Sequence, residues 1–220
     1  MIKGILFDFN GTMFFDGPKH NEAWNNFSLK YRNKPLSAEE LRNFHGMNNK
    51  AIIDMLMGEG VVSEEENLKL SLAKEAMYRK ACVEDPEHFH LMLGLEKVLD
   101  ELKAKNIPMT ICSASIKENI DFFIESFHLT KWFDPANIVY DDGLHPDKIS
   151  MFQDGANRIG VDIKDCLVIE DSYSGIKFAR KANVDTIIAI TTPDKEAEFK
   201  ALPGVEKVIF DFTNFDINNI

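Results

Sequence analysis

Short apolar runs of strand length recur along the chain, at Ile2 to Phe9, Ile107 to Cys112, Cys166 to Ile169, Val184 to Ile190 and Val205 to Ile209. From residue 92 onward they alternate with stretches of helical period. That alternation constrains the fold more than any other feature. Leu95, Val98, Leu99 and Leu102 form one helical stretch, Ile120, Phe123, Ile124 and Phe127 a second, and Ile149, Phe152, Ala156 and Ile159 a third. A helix repeats every ~3.6 residues and a strand every ~2, so the patterns read as successive βαβ units. The strand runs are apolar at nearly every position rather than at alternate ones, which requires a sheet covered on both faces. The expected architecture is an α/β, doubly wound, three-layer core around a parallel sheet, with ligands at the C-terminal ends of the strands.

Residues 14 to about 88 break this rhythm, carrying helical periods and many charges but no good strand run. The predicted organisation is an α/β core from residues 1–14 and 87–220, with residues 15–86 inserted as an all-helical cap. The turn-forming sites Asp16-Gly17-Pro18 and Asp85-Pro86 would bound the insertion as a pair of hinges. Within it, Ser63 followed by Glu64, Glu65 and Glu66 reads as a helix start, with acids at the positive end of the helix dipole. Trp24 and the methionines Met47, Met55, Met57 and Met77 read as packing of the cap interior.

The 25 basic residues stand against 36 acidic ones in a chain of 220, a net charge of −11 that repels phosphate backbones and anionic lipid. Neither nucleic acid nor a membrane is an expected partner, and a monomer acting on a small molecule is. No apolar run approaches the roughly 20 residues of a membrane span. Cys82, Cys112 and Cys166 are an odd number at wide spacing, two of them inside apolar runs, so reduced core thiols and a cytoplasmic location are expected.

Chemistry-bearing residues gather where strands end. Asp8-Phe9-Asn10-Gly11-Thr12 closes the first strand run with a carboxylate, a turn, a glycine and a hydroxyl. A carboxylate there can ligate a metal or attack an electrophile, and glycine lets backbone amides approach an anion; a plain strand end followed by a turn would read the same way. Glu170-Asp171-Ser172 closes the Cys166 run, and in a parallel sheet both ends lie on one edge. Asp8, Glu170 and Asp171 crowded together would repel one another unless a cation sits between them, and an all-oxygen set selects Mg²⁺. Ser113-Ala114-Ser115 ends the Ile107 run and is read as beginning a helix, either presenting a hydroxyl and free amides to an anion or simply capping that helix. Lys148 could bring a cation to the anion and the acids.

In this order, acid-x-x-Gly-Thr, Ser, Lys and acid-Asp, these elements resemble the four signature motifs of the haloacid dehalogenase superfamily. The helical insertion after the first motif, together with Ser113-Ala114-Ser115 and Glu170 to Gly175, resembles its β-phosphoglucomutase-like branch. The resemblance implies that Asp8 is a nucleophile forming an aspartyl-phosphate. It assigns Mg²⁺ to Asp8, the backbone carbonyl of Asn10, Glu170 and Asp171, and phosphoryl contacts to Ser113 and Lys148. Gly11, Thr12, Ala114, Ser115 and Lys117 on the core and His20, Lys50 and Lys74 on the cap would contact substrate. The cap would close over the substrate and exclude bulk water.

Three departures from the family pattern shape the expected activity. Asn10 stands where the family has a second aspartate acting as general acid and base, and an amide cannot exchange a proton near neutral pH. Asn49 stands where the mutases carry an arginine for a distal phosphate, leaving Lys50 as a point charge. Leu144-His145-Pro146-Asp147-Lys148 lacks the usual Lys-Pro-x-Pro-Asp order, so Lys148 is chosen by its spacing to Asp171. The expected function is a Mg²⁺-dependent phosphatase-like hydrolase of a small phosphorylated metabolite, impaired by Asn10. A sugar phosphomutase and a non-catalytic phosphate-ester binding or regulatory protein are the alternatives.

Overall fold

A computed structural model describes residues 2–44 and 47–216. Its elements in chain order are β1 (Gly4–Phe7), α1 (Gly17–Arg32), α2 (Ala38–Asn43), α3 (Asn49–Met57), α4 (Glu64–Val83), α5 (Leu95–Ala104), β2 (Met109–Ile116), α6 (Lys117–Ser126), β3 (Val139–Asp141), α7 (Lys148–Arg158), β4 (Cys166–Glu170), α8 (Tyr173–Lys181), β5 (Thr186–Ile190), α9 (Glu196–Lys200) and β6 (Val205–Ile209). The chain divides into two compact units, Met1–Phe15 with His90–Ile220, and Asp16–Phe89. The first break falls one residue beyond the expected 14 and the second three residues beyond the expected 86.

The first unit is built on a six-stranded sheet in the order β3-β2-β1-β4-β5-β6, with every pairing parallel. All residues of β1, β4 and β5 are buried, which explains runs that are apolar at every position: each side chain meets a covering layer. Leu6 pairs with Val168 and Val168 with Ile187, so these three residues project to one face, where Phe152 and Ala156 of α7 and Ile176 and Ala179 of α8 cover them. On neighbouring positions of opposite sense, Phe7 meets Phe133 edge-on at 6.1 Å, and beyond the strand Phe9 stacks on Phe123 of α6 at 4.2 Å. Burying each such ring contributes roughly 1.5–3 kcal/mol, so the layers that position β1 are strongly held. Gly155 lets α7 approach closely, because a Cβ there would lie 2.4 Å from Cys112 Sγ on β2.

Two sequence expectations change. The Ile107 run does not turn into a helix at Ser113-Ala114-Ser115: β2 continues through them to Ile116, with a register irregularity between Cys112 and Ile116. Ser113 therefore caps no helix, and α6 opens after Ile116 without a side-chain cap. The edge strand β3, three residues long, is too short to show any period and was not expected.

The second unit is helical among its described residues. Trp24, Phe27, Phe44, Ile52, Ile53 and Leu70 form its core, with Met47, Met57 and Met77 packed against them. Met55, expected inside, is 42% exposed instead. Ser63 accepts the Glu66 amide and caps α4, with Glu64, Glu65 and Glu66 in the first turn. Cys82, Cys112 and Cys166 are buried free thiols. Among the described residues no helix is long and apolar enough to cross a membrane.

Candidate active site

The parallel sheet brings the ends of β1, β2 and β4 to one edge of the first unit, and the acids predicted to meet there do so. Oxygen atoms of Asp8, Glu170 and Asp171 all lie within 4.8 Å of one another. Asp8 follows β1 directly, and its amide still donates to Ile169 O of β4 at 3.0 Å, so the ladder itself fixes the carboxylate. Thr12 Oγ1 donates to Asp8 Oδ2 at 3.3 Å. Between them Phe9 O accepts the amides of Thr12, Met13 and Phe14, while Gly11 takes φ +79° and donates to Phe14 O at 2.8 Å. That backbone suits glycine, and a Cβ at position 11 would lie 2.0 Å from Asp171 Oδ2.

Glu170 ends β4 with no exposure, its Oε2 accepting the Ser172 amide at 2.7 Å and hydroxyl at 3.0 Å. Ser172 also accepts the Gly175 amide as the cap of α8. A Cβ on Gly175 would sit 1.8 Å from Glu170 Oε1, so the start of α8 must lack a side chain for the carboxylate to fit. Neither Ser172 nor Gly175 was singled out from the sequence beyond the motif they close; the signal for them is only a serine and a glycine spaced to start a helix directly after the acid pair.

Lys148, the first residue of α7, places Nζ 2.6 Å from Asp8 Oδ1 and also bonds Glu170 Oε1. Choosing this lysine by spacing thus finds the ammonium at the acids, delivered from the first turn of α7. Burial by itself would lower the Lys148 pKa, but Asp8 and Glu170 outweigh it and raise it above the ordinary value, so the ammonium stays charged. Burial pushes the Asp8 carboxyl up, Lys148 pulls it down and Glu170 pushes it up again, leaving it at about 7. Three carboxylates against one ammonium leave excess negative charge in a dry corner. That oxygen-only donor set fits a hard divalent cation such as Mg²⁺.

Asn10 lies beside this cluster with Oδ1 accepting two hydroxyls, Ser115 Oγ at 2.6 Å and Ser113 Oγ at 3.3 Å. Ser113 Oγ in turn accepts the Ser115 amide at 3.2 Å. Ser113 is buried and Ala114 is exposed. Lys117 is 59% exposed and pairs with Asp121 at 2.5 Å on the surface of α6.

Of the predicted residues of the second unit, His20 and Lys74 join a polar network centred on the buried Lys74 ammonium. Lys74, with a side chain 1% exposed, bonds His20 Nδ1 at 2.8 Å and Glu75 Oε1 at 2.9 Å. Its ammonium also lies 5.2 Å from the Trp24 ring centroid and 5.5 Å from that of Tyr78. His20 Nε2 meets Asp16 Oδ2 at 3.2 Å, and the same oxygen accepts the Tyr78 hydroxyl at 2.6 Å. Burial lowers the Lys74 pKa, with Glu75 opposing it. Asn49 donates to Glu75 Oε1 at 2.6 Å, while Lys50 stays exposed and pairs with Asp54 at 3.0 Å.

The family model described as haloacid dehalogenase-like hydrolase matches residues 2–183. A haloacid dehalogenase hydrolase of family IA, variant 3, from Entamoeba histolytica is 32% identical with a TM-score of 0.92, covering 99% of this chain and 96% of that one. β-Phosphoglucomutase from Clostridium difficile shares the fold at 20% identity and a TM-score of 0.79, covering 100% and 95%. A phosphorylated carbohydrates phosphatase from Thermotoga maritima is 22% identical over 194 residues, 86% of this chain and 85% of that protein. The chain spans only 34% and 43% of the length of the first curated relatives it matches.

Proposed function

The chain belongs to the haloacid dehalogenase-like hydrolases, and on that premise we propose that it is a Mg²⁺-dependent phosphoric monoester hydrolase of a small phosphorylated metabolite, working through an aspartyl-phosphate on Asp8. One observation carries the reading: a buried carboxylate at the end of β1 is held 2.6 Å from a lysine ammonium, within 4.8 Å of two further acids. Asp8, Glu170, Asp171 and the backbone carbonyl of Asn10 would hold the metal. When bound, Mg²⁺ would screen the carboxylate from the phosphoryl group and stabilise charge on the transferring oxygens.

Asp8 attacks phosphorus through a carboxylate oxygen, the P–O bond to the leaving group breaks, and the leaving oxygen departs with the electron pair. Lys148 and the Ser113 hydroxyl stabilise the phosphoryl oxygens. Water then cleaves the acyl phosphate to release inorganic phosphate and restore Asp8. Both halves require a proton to move, to the leaving oxygen in the first and from water in the second. Asn10 can hydrogen-bond in either half and transfer a proton in neither.

The test is a panel of phosphate esters assayed with and without Mg²⁺, alongside trapping of phosphoenzyme by mass spectrometry in the protein and in Asp8→Asn. Metal-dependent phosphorylation that Asp8→Asn abolishes supports the reading; labelling that persists in Asp8→Asn removes it. The second reading, a phosphate-ester binding protein with little turnover, is favoured by Asn10 itself, whose Oδ1 is already engaged by two serine hydroxyls. A mutase cycling a bisphosphate is favoured less, because Asn49 is tied to Glu75 and supplies no bidentate cation.

A further inference from the structure

We propose that His145 is a positioning residue for Lys148, clamping the loop between β3 and α7 so that the first residue of the helix delivers its ammonium to Asp8. This rests on the reading of Lys148 as a phosphoryl-site cation. Among residues 141–147 every residue except His145 is exposed, Leu144 to 81%, so the loop has almost no apolar packing to hold it. Polar contacts do that work. Asp142 Oδ1 accepts the Leu144 amide at 2.9 Å and faces His145 Nδ1 at 3.2 Å. On its other side, His145 Nε2 faces Asp154 Oδ2 at 3.1 Å, two turns along α7, and the ring is only 11% exposed.

Asp154 is itself anchored. Arg158 Nε donates to Asp154 Oδ2 at 2.9 Å, and Arg158 Nη1 donates to Ile138 O at 2.9 Å, at the residue that leads into β3. A polar chain therefore runs from the base of β3 through Arg158, Asp154 and His145 to Asp142, tying the loop that leaves β3 to the body of the helix it enters. Asp147 caps α7 by accepting the Ser150 amide at 3.0 Å, and the next residue is Lys148.

Such a clamp matters because of where the cation comes from. A lysine in the first turn of a helix has its Cα direction fixed by the helix start, so a small change in that start swings Nζ by ångströms. Carboxylates only accept hydrogen bonds, so each contact of the His145 ring needs a proton on the facing nitrogen. Glutamine in its place can offer a donor near the Nε2 position, toward Asp154, and asparagine one near the Nδ1 position, toward Asp142. The link to Asp154 is the one that crosses from loop to helix, so glutamine should preserve Lys148 and asparagine should not.

The experiment is lysine acylation by an N-hydroxysuccinimide ester, read residue by residue by mass spectrometry in the full chain, with Lys117 and Lys164 as exposed references. His145→Ala should acylate Lys148 roughly ten- to hundredfold faster than the wild type, the factor that losing a hydrogen bond to a charged group allows. His145→Gln should stay close to wild type and His145→Asn should follow His145→Ala. Unchanged Lys148 labelling in His145→Ala overturns the proposal. Should His145→Ala speed labelling at every lysine, as a loosened fold would, the comparison of His145→Gln with His145→Asn decides, and equal rates overturn it. Phosphoenzyme yield measured on the same samples separates the two claims: a wild type that never phosphorylates defeats the proposed function while the acylation result still stands or falls alone.

Discussion

On the proposed function, replacing Asn10 by aspartate would supply the general acid and base that the site lacks, and the size of the effect can be reasoned from the neighbours of the amide. A positioned general acid and base contributes ~10²–10⁴-fold, about 2.7–5.4 kcal/mol of barrier at ~1.36 kcal/mol per tenfold. The carboxylate is isosteric with the amide, so the Ser115 and Ser113 hydroxyls that now donate to Oδ1 at 2.6 and 3.3 Å would go on donating to it. Bonds to the charged form favour ionisation, so the new group would serve better as a ready base than as an acid. The gain should therefore fall in the lower half of the range, about 10²–10³-fold on alkyl phosphates, and be larger for decay of the phosphoenzyme than for its formation. Rapid-quench measurement of both steps in Asn10→Asp against the wild type gives the comparison. Asn10-Gly11 is prone to deamidation, so intact-mass analysis must first exclude an aspartate already present in the wild-type sample. If Asn10→Asp binds substrate normally and accelerates neither step, the proton-transfer argument is refuted, and either another group carries the proton or the hydrolase reading fails.

Lys148→Met strips the cation from between Asp8, 4% exposed, and Glu170, fully buried. Orphaning buried charge typically costs ~3–5 kcal/mol, so metal-free urea unfolding should shift by about that amount, and Mg²⁺ should recover much of the loss; a metal-free cost under about 1 kcal/mol, the value of a surface pair, would contradict the geometry. Asp8 titrates near 7 in the folded metal-free protein against an ordinary 3.8. Its contribution to stability is therefore fully present below about 3.8 and is lost as the pH rises through about 7. The stability of wild type relative to Asp8→Asn should accordingly fall from about pH 4 to about pH 7 without metal and level off above that, and saturating Mg²⁺, which keeps the carboxylate ionised, should remove or reverse that slope. A difference that is flat with pH in the metal-free protein would count against it.

Much of this site was legible because each contributing strand announces itself twice. β1 carries no polar side chain and is followed by Asp8, and β4 is apolar up to the Glu170 that ends it, so a parallel sheet brings Asp8, Glu170 and Asp171 together without further information. Lys148 could be found by its spacing to Asp171, and α7 carries it because Phe152 and Ala156 hold that helix against the sheet. What failed was local. Ser113-Ala114-Ser115 looks like a helix start, since serine caps helices well, but here the strand persists to Ile116 and both hydroxyls turn to Asn10 instead. β3 is only three residues long and offered no period to read. The contacts of Glu170 with Ser172 and Gly175, and of His145 with Asp154, depend on how a turn folds back through space, which spacing along a chain does not encode.

On the proposed function the site would carry the charge-handling part of phosphoryl transfer without its proton carrier, and that imbalance predicts which esters it can use. Lys148 and a bound cation would offset the charge of Asp8, Glu170, Asp171 and the phosphoryl group irrespective of what leaves. The leaving oxygen, by contrast, must depart with its charge unquenched, so the barrier should track its basicity. Plotting log kcat/KM against leaving-group pKa over acyl, aryl and alkyl phosphates should give a steep negative slope for the wild type. In Asn10→Asp, where a carboxyl group can share its proton in the transition state, the slope should flatten. Acetyl phosphate and aryl phosphates would then be the better substrates of the chain with Asn10, and phosphoenzyme would accumulate from them because the second step still lacks a base. Equal slopes in the two proteins would mean that protonation of the leaving group is supplied from elsewhere, and Asn10 would lose its place as the determinant of substrate class.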